Sequence, residues 1–199
     1  MKKLSLLFFV FAICSNLLAQ EQETLFRKAR VVGAFGGPIV EIGSYDGETG
    51  TAIGGGGGLI IDNFFLGGYG LGGTNITEQL FDSNGDNFSL DIGHGGLWLG
   101  FTYKQYKLLH LFSSVKLGWG GVGIEFDDGG PDYDDGIFVV TPELGLELNI
   151  FRFFKISATA GYRYVDGIRA DGTLDDDHFN GMVGTLTFRF GGFGNWRDW

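Results

Sequence analysis

From Phe154 to Val165 the chain alternates without a break. Phe154, Ile156, Ala158, Ala160, Tyr162 and Tyr164 fall on one side, and Lys155, Ser157, Thr159, Gly161 and Arg163 on the other. A period of two over this length predicts a strand with one apolar face. Residues 141–150 repeat the pattern, with Leu144, Leu146, Leu148 and Ile150 set against Glu143, Gly145, Glu147 and Asn149. Residues 182–190 do so again, with Leu186, Phe188 and Phe190 against Thr185, Thr187 and Arg189. Less regular stretches near 29–42, 50–61, 64–75, 88–103 and 108–126 supply further strands, about eight in all by this periodicity. In 88–103 the phase changes: Leu90 and Ile92 are even-numbered, while Leu97, Leu99 and Phe101 are odd. A bulge at the glycines of 93–96 is the expected device for absorbing the extra residue.

The links between strands alternate in length. Short turns are expected at 62–63, 104–107 and 151–153, and long polar connections at 43–50, 76–87, 127–135 and 166–177. Tight turns at one end and longer loops at the other are the layout of an outer-membrane barrel. The strand lengths fit as well, since a tilted strand crosses a bilayer in about 9–11 residues. Aromatic residues crowd the short turns and the C-terminus: Phe64, Phe65, Tyr103, Tyr106, Phe151, Phe153, Phe154, Phe190 and Phe193. Such rings favour the headgroup layer and are expected to form a girdle. Alternation alone does not orient the sheet, because a soluble exported barrel that carries an apolar ligand would show it with the faces exchanged.

The first 19 residues supply an export signal. Lys2 and Lys3 precede an apolar run from Leu4 to Cys14, and Ala19 offers a small residue for cleavage. The run is too short for a membrane helix, which takes about 20 residues. Residues 1–19 are thus expected to be a signal peptide and 20–199 the barrel domain. A lipoprotein reading of Cys14 is disfavoured by the bulky Ile13 before it. With Cys14 removed, the mature chain holds no cysteine, which excludes disulfides and thiol chemistry.

Composition sharpens the picture. The 199 residues include 37 glycines and 3 prolines, with 16% aromatic residues. That hydrophobic content argues against disorder. The net charge of -10 argues against nucleic acid as a partner. Ten glycines lie in residues 54–73 among leucines, isoleucines and aromatics. In a narrow barrel whose interior is filled by side chains, inward glycines are expected to make room for larger polar partners.

On these features the chain resembles the small outer-membrane barrels of the OmpA-transmembrane, OmpX and OmpW kind. The resemblance is architectural and covers residues 20–199. It implies an all-β, closed, antiparallel up-and-down transmembrane barrel with both termini periplasmic and a largely filled lumen. It further implies location in the outer membrane of a diderm bacterium, contact with outer-membrane lipids and lipopolysaccharide, and insertion by the barrel-assembly machinery. The family's last strand ends in an aromatic residue at the C-terminus. Here "TLTFRF" fits that strand, but "GGFGNWRDW" follows it.

Three constellations could carry chemistry. Lys116, Glu143, Glu147, Lys155, Arg163 and Arg189 fall on the polar faces and are expected to form a lumen charge network, acid and base alternating between neighbouring strands. Enclosed charges must be paired, so a salt-bridged plug is preferred to an ion path. The four long connections hold fifteen Asp or Glu and one base, Arg169. Within them Asp82, Asn84 and Asp86 stand at alternate positions, as calcium ligands do, although no glutamate closes the loop. Finally, His94, His110 and His178 are the only histidines. His110 and Ser114 share a strand face some 13 Å apart at about 3.3 Å per residue, too far for a nucleophile and its base. The expectation is a non-enzymatic surface protein, structural or interactive. The alternatives are a lipid A-modifying enzyme or the soluble ligand carrier.

Overall fold

The computed structural model describes residues 30–45, 48–74, 88–126, 133–168 and 176–194. The expected signal peptide lies outside them. Eight strands run β1 (Val31–Tyr45), β2 (Glu48–Ile61), β3 (Phe64–Thr74), β4 (Phe88–Tyr103), β5 (Leu109–Phe126), β6 (Tyr133–Phe151), β7 (Phe154–Asp166) and β8 (Gly181–Phe193). A helical turn, α1 (Asp176–Phe179), precedes the last strand. Each strand pairs antiparallel with the next, and β1 pairs with β8 to close the barrel. Closure leaves no open sheet edge, so weak strand formers are held by neighbours on both sides.

The short turns 62–63, 104–108 and 152–153 lie at the same end as residues 30 and 194, as an even strand count requires. Asp62 and Lys104 take left-handed backbone there, with φ of 52° and 57°. The connection expected at 43–50 is much shorter than the sequence suggested. Tyr45 pairs with Glu48, leaving only 46–47 between the strands. Polar residues at that end continue the ladder because their backbone groups still find partners, whatever their side chains meet.

The bulge expected at 93–96 is absent: β4 keeps an unbroken register with β5. Ile92, His94, Trp98 and Thr102 all point inward and are buried. The phase change is instead an apolar residue on the inner face. Ile92 packs with Val122, Ile137, Val139, Val165 and Phe179 in an internal cluster. Pro38 and Pro142 do interrupt pairing. The β1–β8 ladder lapses at 37–38 and the β6–β7 ladder at 141–142, while the β1–β2 and β5–β6 ladders continue past both prolines. Each ring has no N–H to offer on the lapsed side.

The two faces of the wall differ sharply. Leu111, Leu144, Leu146, Tyr164 and Met182 face outward and are exposed, whereas Lys116, Glu147 and Arg163 are fully buried inside. Outward rings stack near the turns: Phe154 lies on Phe190 at 4.5 Å and Phe151 on Phe153 at 5.6 Å. Two residues assigned to that girdle go the other way. Phe65 and Phe193 are buried in the interior, because their inward register puts them over the glycine-lined wall. The last strand runs past Phe190 and pairs Phe193 with Gly33.

The glycine-rich stretch 54–73 is strand on both sides of the two-residue turn 62–63. Inward Gly56 faces Trp98: a Cβ there would lie 3.1 Å from the indole ring and 2.9 Å from the Gly68 carbonyl. Gly100 clears Phe65 in the same way. The partners accommodated in this sector are aromatic rings rather than the polar groups expected.

Candidate functional site

The barrel interior gathers the chemistry. Its first polar group centres on Lys116 of β5. The ammonium lies 3.1 Å from Glu41 Oε2 and 2.9 Å from Glu143 Oε1. Ser114 Oγ donates to Glu143 Oε2 at 2.8 Å, and Thr185 Oγ1 donates to Glu143 Oε1. Arg163 pairs with Glu41 at 3.5 Å and donates from Nε to the Phe179 carbonyl and from Nη2 to the Ser44 carbonyl. Two acids and two bases, all buried, balance one another. Charges enclosed this way are tolerable because each is both paired and hydrogen-bonded.

The second group centres on Glu147 of β6. His110 Nε2 lies 3.0 Å from Oε1, Lys155 Nζ lies 3.3 Å from the same oxygen, and Arg189 Nη1 reaches Oε2. His110 Nδ1 is 2.9 Å from the Lys107 carbonyl, so both ring nitrogens face oxygen acceptors. The Arg189 guanidinium stands over Phe35 at 3.8 Å, with Phe65, Phe112 and Phe193 at 5.0–5.3 Å. Those π faces attract a cation that has little water around it. Trp98 packs edge-on against Phe35 and Phe65.

All six residues singled out for the charge network are therefore buried and ion-paired, in two groups. Acid and base do not simply alternate by strand, since β7 and β8 both bring cations to this interior. Arg163 finds its carboxylate beyond the closing strand β8, on β1. Sequence reasoning missed Glu41, His110 as a hydrogen-bond partner of Glu147, and the Tyr69–His94 hydrogen bond of 3.0 Å. The signal for Glu41 was its place between Val40 and Ile42, one acid on a face that otherwise carries Phe35, Ile39 and glycines. Asp82, Asn84 and Asp86 lie outside the described residues, as does the His178 side chain. Among the described residues no group of three metal-ligating side chains occurs. His110 and Ser114 both point inward, each engaged with a carboxylate, and neither stands on the outer rim.

The fold has counterparts among solved structures. It is similar to Neisserial surface protein A (NspA), with a TM-score of 0.54 and 12% identity over 83% of this chain and 98% of that one. The shared architecture is the fold itself, a small closed antiparallel β-barrel. Ail, the attachment invasion locus protein of Yersinia pestis, gives 0.45 at 16% identity over 81% of this chain and 98% of that chain. Ail in complex with the heparin analogue sucrose octasulfate gives 0.44, also at 16% identity, over 80% and 95%. No protein-family model and no curated protein sequence matches the chain.

Proposed function

We propose that this is a non-enzymatic outer-membrane protein of a diderm bacterium, a barrel closed by its own interior charges and acting as a structural or surface-interaction element. One observation carries the reading: apolar and aromatic side chains cover the outside of the wall, while Lys116, Glu147, Arg163 and their partners are enclosed. In water that outer surface would be an apolar belt far larger than a monomeric protein tolerates. In a bilayer it is the surface a closed barrel presents to lipid. The acidic loops then face solvent, divalent cations and lipopolysaccharide phosphates, and insertion falls to the barrel-assembly machinery. The engagement of His110 and Ser114 with buried carboxylates supports the non-enzymatic reading over lipid A modification. An interior held by ion pairs and aromatic rings is likewise poorly suited to an apolar cargo.

Fractionation tests the proposal. The mature protein should stay with membranes through alkaline and high-salt washes, leave them only in detergent, and migrate faster unheated than boiled on a denaturing gel. Recovery in the aqueous fraction as a folded protein would overturn it.

A further inference from the structure

The two interior groups differ in charge balance. Glu41 and Glu143 match Lys116 and Arg163, but among the described residues Glu147 is the one carboxylate shared by Lys155 and Arg189. One positive charge is in excess. Arg189 sits among four phenylalanine rings, whereas Lys155 lines a cavity of about 460 Å³ at the turn end of the barrel. Lys155 is nearly buried, with 4% of the residue's surface exposed. Beside it Asn149 donates to the Gln105 and Lys107 carbonyls, which fixes the amide's orientation and leaves Oδ1 buried without a partner. The mouth of the cavity carries exposed Tyr106, Leu108, Ile150 and Phe151, with the exposed cation Arg152 among them.

We propose that this cavity binds the phosphate group of a phospholipid, the phosphate meeting Lys155 while the acyl chains run down the wall past Leu108, Ile150 and Phe151. The inference rests on the membrane reading above. A phosphate supplies a second anion to a group to which the described residues bring one carboxylate, and a charge-assisted contact with a desolvated ammonium is strong. Free phosphate shares the headgroup's chemistry, but would leave the apolar rim unused.

The test is native mass spectrometry of the whole mature chain refolded into micelles, with lipids of equal acyl length: phosphatidylethanolamine, phosphatidylglycerol, and diacylglycerol, which has no phosphate. The variants are Lys155→Met and, as a control for general charge at the same end, Lys104→Met. Lys155→Met leaves Glu147 paired with Arg189 and His110, so folding should survive. Phospholipid should be retained by the parent and by Lys104→Met, with diacylglycerol lost, and Lys155→Met should weaken retention about ten-fold. Equal retention of diacylglycerol, or an unchanged Lys155→Met, would overturn the site. Displacement of bound lipid by inorganic phosphate alone would overturn the lipid assignment. If Lys155→Met does not fold, the comparison of lipids on the parent decides by itself. A chain that folds in water without detergent fails the membrane reading, and is recognised before any lipid is added.

Discussion

Glu147 holds three donors at once, from β5, β7 and β8. Removing its charge leaves Lys155 and Arg189 enclosed without an anion, which costs about 3–5 kcal/mol for a buried pair broken on one side. Glu147→Gln should therefore lower the unfolding free energy in urea by about that amount, and Lys155→Met by much less, since it removes the excess charge. Equal losses would show that the pairs are not coupled as described. The glycines act at the same scale. Gly56→Ala brings a methyl group against Trp98 and the Gly68 carbonyl, and overpacking of this sort costs about 1–3 kcal/mol. Gly70 has nothing within 4 Å of a built Cβ, so Gly70→Ala should be neutral or slightly stabilising in the same titration. These contacts were not legible in sequence. A glycine announces only that something comes close, and what comes close to Gly56 is a residue 42 positions away on β4.

Elements were legible where one face is apolar and the other polar, as in β7. They misled where both faces carry apolar groups. Ile92 broke the alternation of β4 because it joins an internal apolar cluster, and a pattern reader takes such a break for a bulge. Phe65 and Phe193 were placed in the outer girdle because proximity to a turn does not say which way a ring points. The end of β8 was the least legible, since Phe190 and Phe193 both close plausible strands. Register separates them: Phe193 lies inside against Lys155 and Arg189, while Phe190 lies outside on Phe154. Phe193→Ala should therefore cost about 3–5 kcal/mol, as buried aromatic truncations do, and Phe190→Ala clearly less, by unfolding in lipid vesicles. The reverse order would place the end of the barrel at Phe190.

At the scale of the whole molecule, polarity is inverted relative to a protein folded in water. The six charged residues could be named from sequence because each broke an apolar strand at the alternate position. Their grouping depended on closure, which pairs β1 with β8 and brings Glu41 to Arg163, 122 positions away. The inversion is tested most directly along β6, using single cysteines in a chain beginning at residue 20, which holds no other cysteine. Each of Leu144→Cys, Leu146→Cys and Thr141→Cys is labelled with a small fluorophore in detergent, refolded into vesicles, and quenched with brominated lipid. The outward positions 144 and 146 should be strongly quenched and the inward position 141 weakly. Strong quenching at 141 with none at 144 and 146, or quenching only by aqueous iodide at 144 and 146, would contradict the account.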